Sequence, residues 1–127
     1  MARAVLLIED HAPVRELYAE VLATAGWHVL EQPNARGLVD LLLRSPTVAA
    51  VVLDWTLPGP SGLDALRTIK RHRALRHLRV IVLTAHSSST LARQALAAGA
   101  ERFLGKPLRP EELLQALDES SQLRVEG

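Results

Sequence analysis

The sequence predicts an α/β domain in which helices cover both faces of a parallel sheet. Short apolar segments alternate with longer amphipathic segments along the 127 residues. The apolar segments are uninterrupted, as at 48–53, and such runs are typical of strands that are buried on both faces. A single helix follows each strand, and this arrangement joins parallel strands through right-handed crossovers. We therefore expect a doubly wound parallel sheet.

Five strands and five helices are expected in strict alternation. The first helix is the clearest, because Val14, Leu17 and Tyr18 begin an apolar face with helical spacing. Pro13 suits the first turn of this helix, and Gly26 suits its end. The predicted strands are 4–8, 27–30, 48–53, 79–83 and 102–104. The predicted helices lie at 13–25, around 38–42, around 63–69, at 87–98 and at 110–122.

Length and composition are those of one soluble domain. A chain of 127 residues buries a single core, so we expect one domain over 1–127, with its core at about 3–122 and no output domain. The 15 basic and 14 acidic residues give a net charge of +1, which attracts neither nucleic acid nor an anionic membrane. There is no cysteine and no apolar run long enough for a membrane span or a signal peptide. We expect a cytoplasmic protein.

Polar residues stand where four of the predicted strands end. The carboxyl ends of parallel strands share one edge of a sheet, and open α/β sheets bind their ligands at that edge. We therefore expect these side chains to converge. They are Glu9, Asp10, Asp54, Thr84 and Lys106.

Three carboxylates in one cleft repel one another and require positive charge. Two unit charges about 4 Å apart cost about 4 kcal/mol at an effective dielectric constant of 20. Lys106 supplies one positive charge, and a divalent cation would supply two more. A site made only of oxygen ligands suits Mg²⁺, which also binds phosphate oxygens. The residues thus predict a place where a metal, a phosphoryl group and a carboxylate meet.

Five sequence features together resemble the receiver domain of two-component response regulators. The resemblance covers essentially the whole chain, in the order and spacing of the family. It implies a flavodoxin-like (βα)5 fold with strand order 2-1-3-4-5. The features are Glu9-Asp10, DWTLPGPSG at 54–62, Thr84-Ala85, AAGA at 97–100 and FLGKP at 103–107.

The resemblance implies that Asp54 is a phosphoacceptor. It would take a phosphoryl group from a phosphohistidine on a sensor histidine kinase or a histidine phosphotransfer protein. Lys106 would pair with the phosphoryl oxygens, and the Thr84 hydroxyl would hydrogen-bond to one of them. The chain would then be a signalling switch rather than an enzyme, since it catalyses only its own phosphoryl transfer and autodephosphorylation.

The resemblance also implies metal ligands and residues that set the lifetime of the phosphorylated state. Glu9, Asp10 and Asp54 would hold Mg²⁺ together with the backbone carbonyl of Thr56. Thr56 and His86 stand two residues after the acceptor and after the hydroxyl residue. Family members tune dephosphorylation at these two positions by controlling the access of water.

Switching in the family couples the hydroxyl residue to an aromatic residue on the last strand, here Phe103. The shift rearranges the face of the fourth helix, fifth strand and fifth helix, where an unknown downstream protein or a second copy would bind. A monomer is equally compatible. This chain departs from the family in having Phe rather than Tyr at 103, Trp55 after the acceptor, and Ser61 in place of Asp. The resemblance also implies a cis bond before Pro107.

Several alternatives stay open on the residues alone. Glu9 and Asp10 are also suited to capping the first helix, and Thr84 to satisfying backbone groups at a strand end. A phosphatase of the haloacid dehalogenase type requires a second Asp where Thr56 stands. Nucleotide binding would require a glycine-rich motif that the sequence lacks. The main alternative is a pseudo-receiver, a protein-interaction module that acts without phosphorylation.

One stretch of the sequence is strongly basic. Residues 67–79 read RTIKRHRALRHLR and contain no acidic residue. A solvated helix face is the ordinary interpretation, and a docking surface for an acidic partner or a phosphate backbone is the alternative. No aromatic residues interleave for base stacking, so we expect no direct binding of nucleic acid. The five histidines are dispersed and predict no zinc site.

Overall fold

The computed structural model describes residues 3–86 and 88–126, with side chains described up to residue 118. Within this part of the chain, five parallel strands form one sheet in the order β2-β1-β3-β4-β5, as predicted. The strands are β1 (Ala4–Ile8), β2 (His28–Gln32), β3 (Val48–Asp54), β4 (Arg79–Thr84) and β5 (Arg102–Gly105). The helices are α1 (Ala12–Thr24), α2 (Leu38–Leu43), α3 (Gly62–Arg71), α4 (Ser89–Ala97) and α5 (Pro110–Glu126).

The sheet is buried on both faces, which explains the uninterrupted apolar runs. Alternate residues of β1 belong to different cores: Leu6 packs in one cluster and Leu7 in the other, and neither is exposed to solvent. Helices α2, α3 and α4 contribute to the first core. Helices α1 and α5 contribute to the second. Polar residues of the central strands therefore lie only at their first or last positions, as Arg79 and Thr84 do in β4.

The register of the strands brings their carboxyl ends to the same level. Ile8 pairs with Leu53, Asp54 pairs with Leu83, and Thr84 pairs with Gly105. The residue that ends each strand, or follows it directly, therefore lies at a common edge of the sheet. This edge is where the sequence predicted a functional site.

Some boundaries differ from those predicted. β2 covers His28–Gln32 rather than 27–30, because backbone pairing with β1 continues past the apolar residues to Gln32. α4 begins at Ser89, since the hydroxyl of Ser88 caps the helix by accepting from the Leu91 N–H at 3.1 Å; Ser87, where the helix was expected to begin, lies outside the described residues. α5 extends past 122 to Glu126, and no Gly or Pro interrupts it.

No helix in the described part of the chain combines the length and the apolar character that crossing a membrane requires.

Candidate phosphoryl-transfer site

Three carboxylates meet at the carboxyl edge of the sheet. Glu9 follows β1 and Asp54 ends β3; both residues are buried, with only 2% and 6% of their surface exposed. Asp10 is exposed. One carboxylate oxygen from each of the three lies within 4.8 Å of the others. The structure thus brings together the three acidic residues that the sequence placed at strand ends.

Lys106 follows β5 and lies between the two buried carboxylates. Its Nζ atom donates to Oε1 of Glu9 and, at 3.1 Å, to Oδ2 of Asp54. Burial favours the neutral amine, but the hydrogen bonds and charges of Glu9 and Asp54 outweigh burial and raise the pKa of Lys106. A single ammonium group therefore links β1, β3 and β5 at the edge of the sheet.

The second oxygen of each buried carboxylate accepts from the backbone. Oδ1 of Asp54 accepts from the Thr56 N–H at 3.0 Å, and Oε2 of Glu9 accepts from the His11 N–H at 3.2 Å. Helix α1 takes His11 as its N-cap residue, without a side-chain hydrogen bond. The N-cap of α1 is therefore His11 rather than Glu9 or Asp10, and the first turn of the helix contains no acidic residue.

The formal charge of the cluster is −2, since one ammonium group faces three carboxylates. The donors are all oxygen, which is what Mg²⁺ prefers, and the exposed carboxylate of Asp10 keeps the cluster accessible to solvent. The donor set and the charge of this cluster fit that ion.

The Thr84 side chain is fully buried at the end of β4. Its Oγ1 atom accepts a hydrogen bond from the His86 N–H at 3.0 Å. This is the backbone role that the residue alone suggested, but it leaves the hydroxyl hydrogen available, because a hydroxyl donates as well as accepts. His86 itself is exposed, and so is Thr56.

Two loops hold these groups in place. The Lys106–Pro107 peptide bond is cis, the isomer that the family resemblance implies, and the Lys106 N–H donates to the Thr84 carbonyl at 2.7 Å. On the other side, Ser61 caps α3: its hydroxyl accepts from the Asp64 N–H at 3.1 Å, while the Asp64 carboxylate accepts from the Ser61 N–H. Serine therefore fulfils the capping role at this position.

The loop after Asp54 has almost no space beside Gly62. A Cβ atom on this glycine would lie 2.6 Å from the Asp54 carbonyl oxygen and 2.6 Å from Cα of Trp55. The Gly62 N–H donates to the Trp55 carbonyl at 3.0 Å. The start of α3 is thus packed directly against the backbone that carries Asp54.

Two residues next to the site were not predicted from the sequence to contact it. Arg15 donates from Nη1 to the Glu9 carbonyl at 2.9 Å and lies 3.6 Å from Glu31, so it ties the end of β1 to β2. Tyr18 is buried, and burial, aided by the nearby carboxylates and opposed by Lys106, raises the pKa of its phenol. Tyr18 was recognised only as part of an apolar face, because periodicity does not indicate which polar groups a ring reaches.

Comparisons with a family model and with individual proteins identify the same family. Residues 5–118 match the response regulator receiver domain family. The phosphate regulon transcriptional regulatory protein PhoB of Klebsiella pneumoniae is 36% identical over 114 residues, which cover 90% of this chain and 49% of PhoB. The chain therefore spans about half the length of the PhoB proteins that it matches.

Solved structures agree with this assignment. The signal receiver domain of a putative LuxO repressor protein from Vibrio parahaemolyticus is 30% identical and gives a TM-score of 0.83, covering 100% of this chain and 99% of that one. CheY4 of Vibrio cholerae, at 22% identity, has the same fold with a TM-score of 0.87, over 94% of this chain and 98% of its own. The chain belongs to the receiver domain family of two-component response regulators.

Proposed function

We propose that this chain is a phosphorylation-dependent receiver whose acceptor is Asp54. The phosphoryl donor is a phosphohistidine on a sensor histidine kinase or a histidine phosphotransfer protein. The observation that carries the proposal is the position of the Lys106 ammonium group, which lies 3.1 Å from Asp54 inside an acidic cluster. The Asp54 carboxylate would act as the nucleophile, and the cation beside it would offset the charge of an incoming phosphoryl group.

Transfer requires the donor, the phosphorus atom and a carboxylate oxygen of Asp54 to lie in line. The Asp54 oxygen forms a bond to phosphorus while the bond between phosphorus and the donor histidine breaks. The imidazole leaves with the bonding electron pair and takes up a proton. Lys106 stays beside the acceptor and pairs with a phosphoryl oxygen. The Thr84 hydroxyl donates to another oxygen while it still accepts from the His86 N–H.

Mg²⁺ would be held by the carboxylates of Glu9, Asp10 and Asp54, together with the backbone carbonyl of Thr56. When bound, the ion offsets negative charge on the phosphoryl oxygens. The chain's own residues provide one cation against three anions. A phosphoryl group adds further negative charge to this pocket, so the protein alone cannot neutralise it.

Phosphorylation also supplies the switch. The added charge and acceptor oxygens draw Thr84 and Lys106 toward Asp54, and Phe103 on β5 responds to that movement. The altered surface consists of α4, β5 and α5, and it binds a downstream protein or a second copy. Thr56 and His86, both exposed beside the site, set how readily water reaches the acyl phosphate. The protein would work in the cytoplasm, where its kinase partner acts.

Intact mass spectrometry tests the proposal directly. The protein is incubated with Mg²⁺ and acetyl phosphate, and we expect a mass gain of one phosphate. Asp54→Asn should show no gain, whereas Asp40→Asn, which changes an exposed carboxylate on α2, should behave like the original protein. Absence of any gain in the unaltered protein would refute phosphorylation at Asp54 and favour a phosphorylation-independent interaction module.

A further inference from the structure

A cluster of unpaired arginines lies on α3 and the loop that follows it, away from the phosphoacceptor. Residues 67–79 contain six of the 15 Lys and Arg residues and no acidic residue. Four of these arginines are exposed, and within the described part of the chain none of their four side chains makes a hydrogen bond or an ion pair. They are Arg67, Arg71, Arg73 and Arg76.

Ordinary helix stability accounts for only part of this cluster. Cations near the end of α3 are favoured by the helix dipole. Arg67 and Arg71 are four residues apart on one helix, however, and like charges at that spacing destabilise it. Arg73 and Arg76 lie beyond the helix, where the dipole effect fades. The cluster therefore retains repulsion that nothing in the described chain relieves.

Hydrogen bonds connect the loop that carries Arg73 and Arg76 to α3. The His72 carbonyl accepts from the Arg76 N–H at 2.9 Å, and Nδ1 of His72 accepts from the Ala74 N–H at 3.1 Å. Lys70 donates to the carbonyls of Arg76 and Leu78, which ties the loop back to the helix. A loop whose backbone is already ordered loses less entropy when a partner binds.

A cavity with both apolar and polar lining lies beside the same loop. It has a volume of about 170 Å³. Its apolar lining comes from Leu43, Pro46, Val48, Leu75 and Leu78, and its polar lining from Ser45 and His77. Leu43 is 48% exposed, which is unusual for a large apolar residue of this chain. A cavity of about 150 Å³ is large enough to hold benzene, so this one has room for an aliphatic side chain against its leucines.

We propose that the arginines and the cavity form a docking surface for an acidic segment of a partner protein. The acidic groups of the segment would pair with Arg71, Arg73 and Arg76, and one of its aliphatic side chains would enter the cavity. The cavity favours a protein over a nucleic acid, because a phosphate backbone has no apolar group to place there. Of the residues that line the cavity, only His77 has a ring that could stack on a base.

This surface is independent of the phosphoacceptor. The cavity touches Val48 at the start of β3, while Asp54 ends the same strand. A seven-residue strand separates its ends by about 20 Å, at about 3.3 Å per residue. A partner bound here leaves the phosphorylation site open and remains attached in both states of the switch. The bound partner would then raise the local concentration of the receiver near the other proteins that the receiver binds.

Fluorescence anisotropy with a labelled peptide tests the inference. The peptide consists of Glu and Asp with one central Leu. We expect binding, and we expect Arg73→Glu with Arg76→Glu to weaken it about tenfold, because exposed charge pairs contribute modestly and reversal adds repulsion. The matched control reverses two exposed arginines elsewhere, Arg36→Glu with Arg93→Glu, and should leave affinity nearly unchanged. Replacing the peptide Leu by Ser should also weaken binding about tenfold.

Each contrary result overturns the proposal. Failure of the unaltered protein to bind the peptide refutes the surface, and equal binding of the Leu and Ser peptides refutes the role of the cavity. Tighter binding of duplex DNA than of the peptide, lost in the Arg73 and Arg76 variant, would make the surface a nucleic-acid site instead. Circular dichroism establishes that the variants fold. The outcome does not depend on Asp54, so phosphorylation could fail while this surface is confirmed.

Discussion

The ring of Phe103 meets the indole of Trp55 edge-on, with ring centroids 5.9 Å apart and planes 84° apart. Trp55 directly follows the proposed acceptor, and Phe103 lies on β5, three residues before Lys106. The contact therefore joins the two strand ends that carry Asp54 and Lys106. Phe103 has no hydroxyl group, so its ring is joined to Trp55 by this aromatic contact, in addition to the hydrogen bond that Lys106 donates to Asp54.

A double-mutant cycle on this pair should reveal a favourable coupling. Edge-to-face aromatic pairs contribute about 0.5–1.5 kcal/mol beyond their buried area. We expect Trp55→Leu and Phe103→Leu to be non-additive by that amount in the free energy of unfolding, measured in urea. Phe103→Tyr retains the ring and should retain the coupling. Additivity within about 0.3 kcal/mol would show that the contact carries no specific energy.

Loss of the acidic pair should abolish Mg²⁺ binding. Glu9→Gln with Asp10→Asn removes two of the three carboxylates while keeping the size of both side chains. We expect no measurable binding by isothermal titration calorimetry, because Mg²⁺ requires anionic oxygen ligands. Glu16→Gln, an exposed change on α1, is the control and should bind normally. Unchanged affinity in the double variant would place the metal elsewhere.

Stability should fall in alkaline solution because of Lys106. The folded state raises the pKa of this lysine above its ordinary value of 10.5, so the folded protein holds the proton more tightly than the unfolded chain. The stabilisation is fully present below about pH 10.5 and is lost as the pH rises through the folded pKa. Urea unfolding from about pH 9 to about pH 12 should show this decline.

Two variants distinguish the contribution of Lys106 to this decline from that of its neighbour Tyr18. The pKa of Tyr18 is also raised, above 10.0, and it adds a decline of the same sign. Tyr18→Phe should keep the part of the alkaline loss of stability that Lys106 causes. Lys106→Met with Tyr18→Phe should lose the decline and be about 3 kcal/mol less stable at neutral pH, since two buried carboxylates lose their partner. A decline that persists in the double variant would contradict this assignment.

Gly62 should tolerate no side chain. A Cβ atom there would lie 2.6 Å from backbone atoms of Asp54 and Trp55, and backbone cannot move aside as a flexible side chain can. We expect Gly62→Ala to lower the free energy of unfolding by at least about 2 kcal/mol. Ser61→Ala, the neighbouring change, loses only a helix cap and should cost about 1 kcal/mol. Equal effects of the two variants would show that the loop can relax.

The fold could be predicted because its signals are local. The apolar run at 48–53 and the helical spacing from Val14 onward both follow from which side chains are buried. The predicted end of β2 was wrong because the strand continues through backbone pairing with β1. This pairing does not depend on side-chain polarity, so Glu31 and Gln32 gave no sign of it in the sequence.

The candidate site was predictable as a set of residues but not as a set of contacts. Charged residues after buried strands identified Glu9, Asp54 and Lys106, since only a strand end exposes them. That the Glu9 carboxylate turns toward Lys106 rather than capping α1 depends on the approach of a strand remote in sequence. The contact of Arg15 with the Glu9 carbonyl is equally invisible, because an arginine in the first turns of a helix normally faces solvent.

The ion pair between Glu9 and Lys106 joins residues 97 positions apart. During synthesis the chain emerges from its amino end, so Glu9 and Asp54 leave the ribosome well before Lys106 does. Until β5 is made and added to the edge of the sheet, the acidic cluster lacks the ammonium group that offsets part of its charge. On the function proposed above, the acceptor site would therefore be complete only when nearly all of the domain has been made.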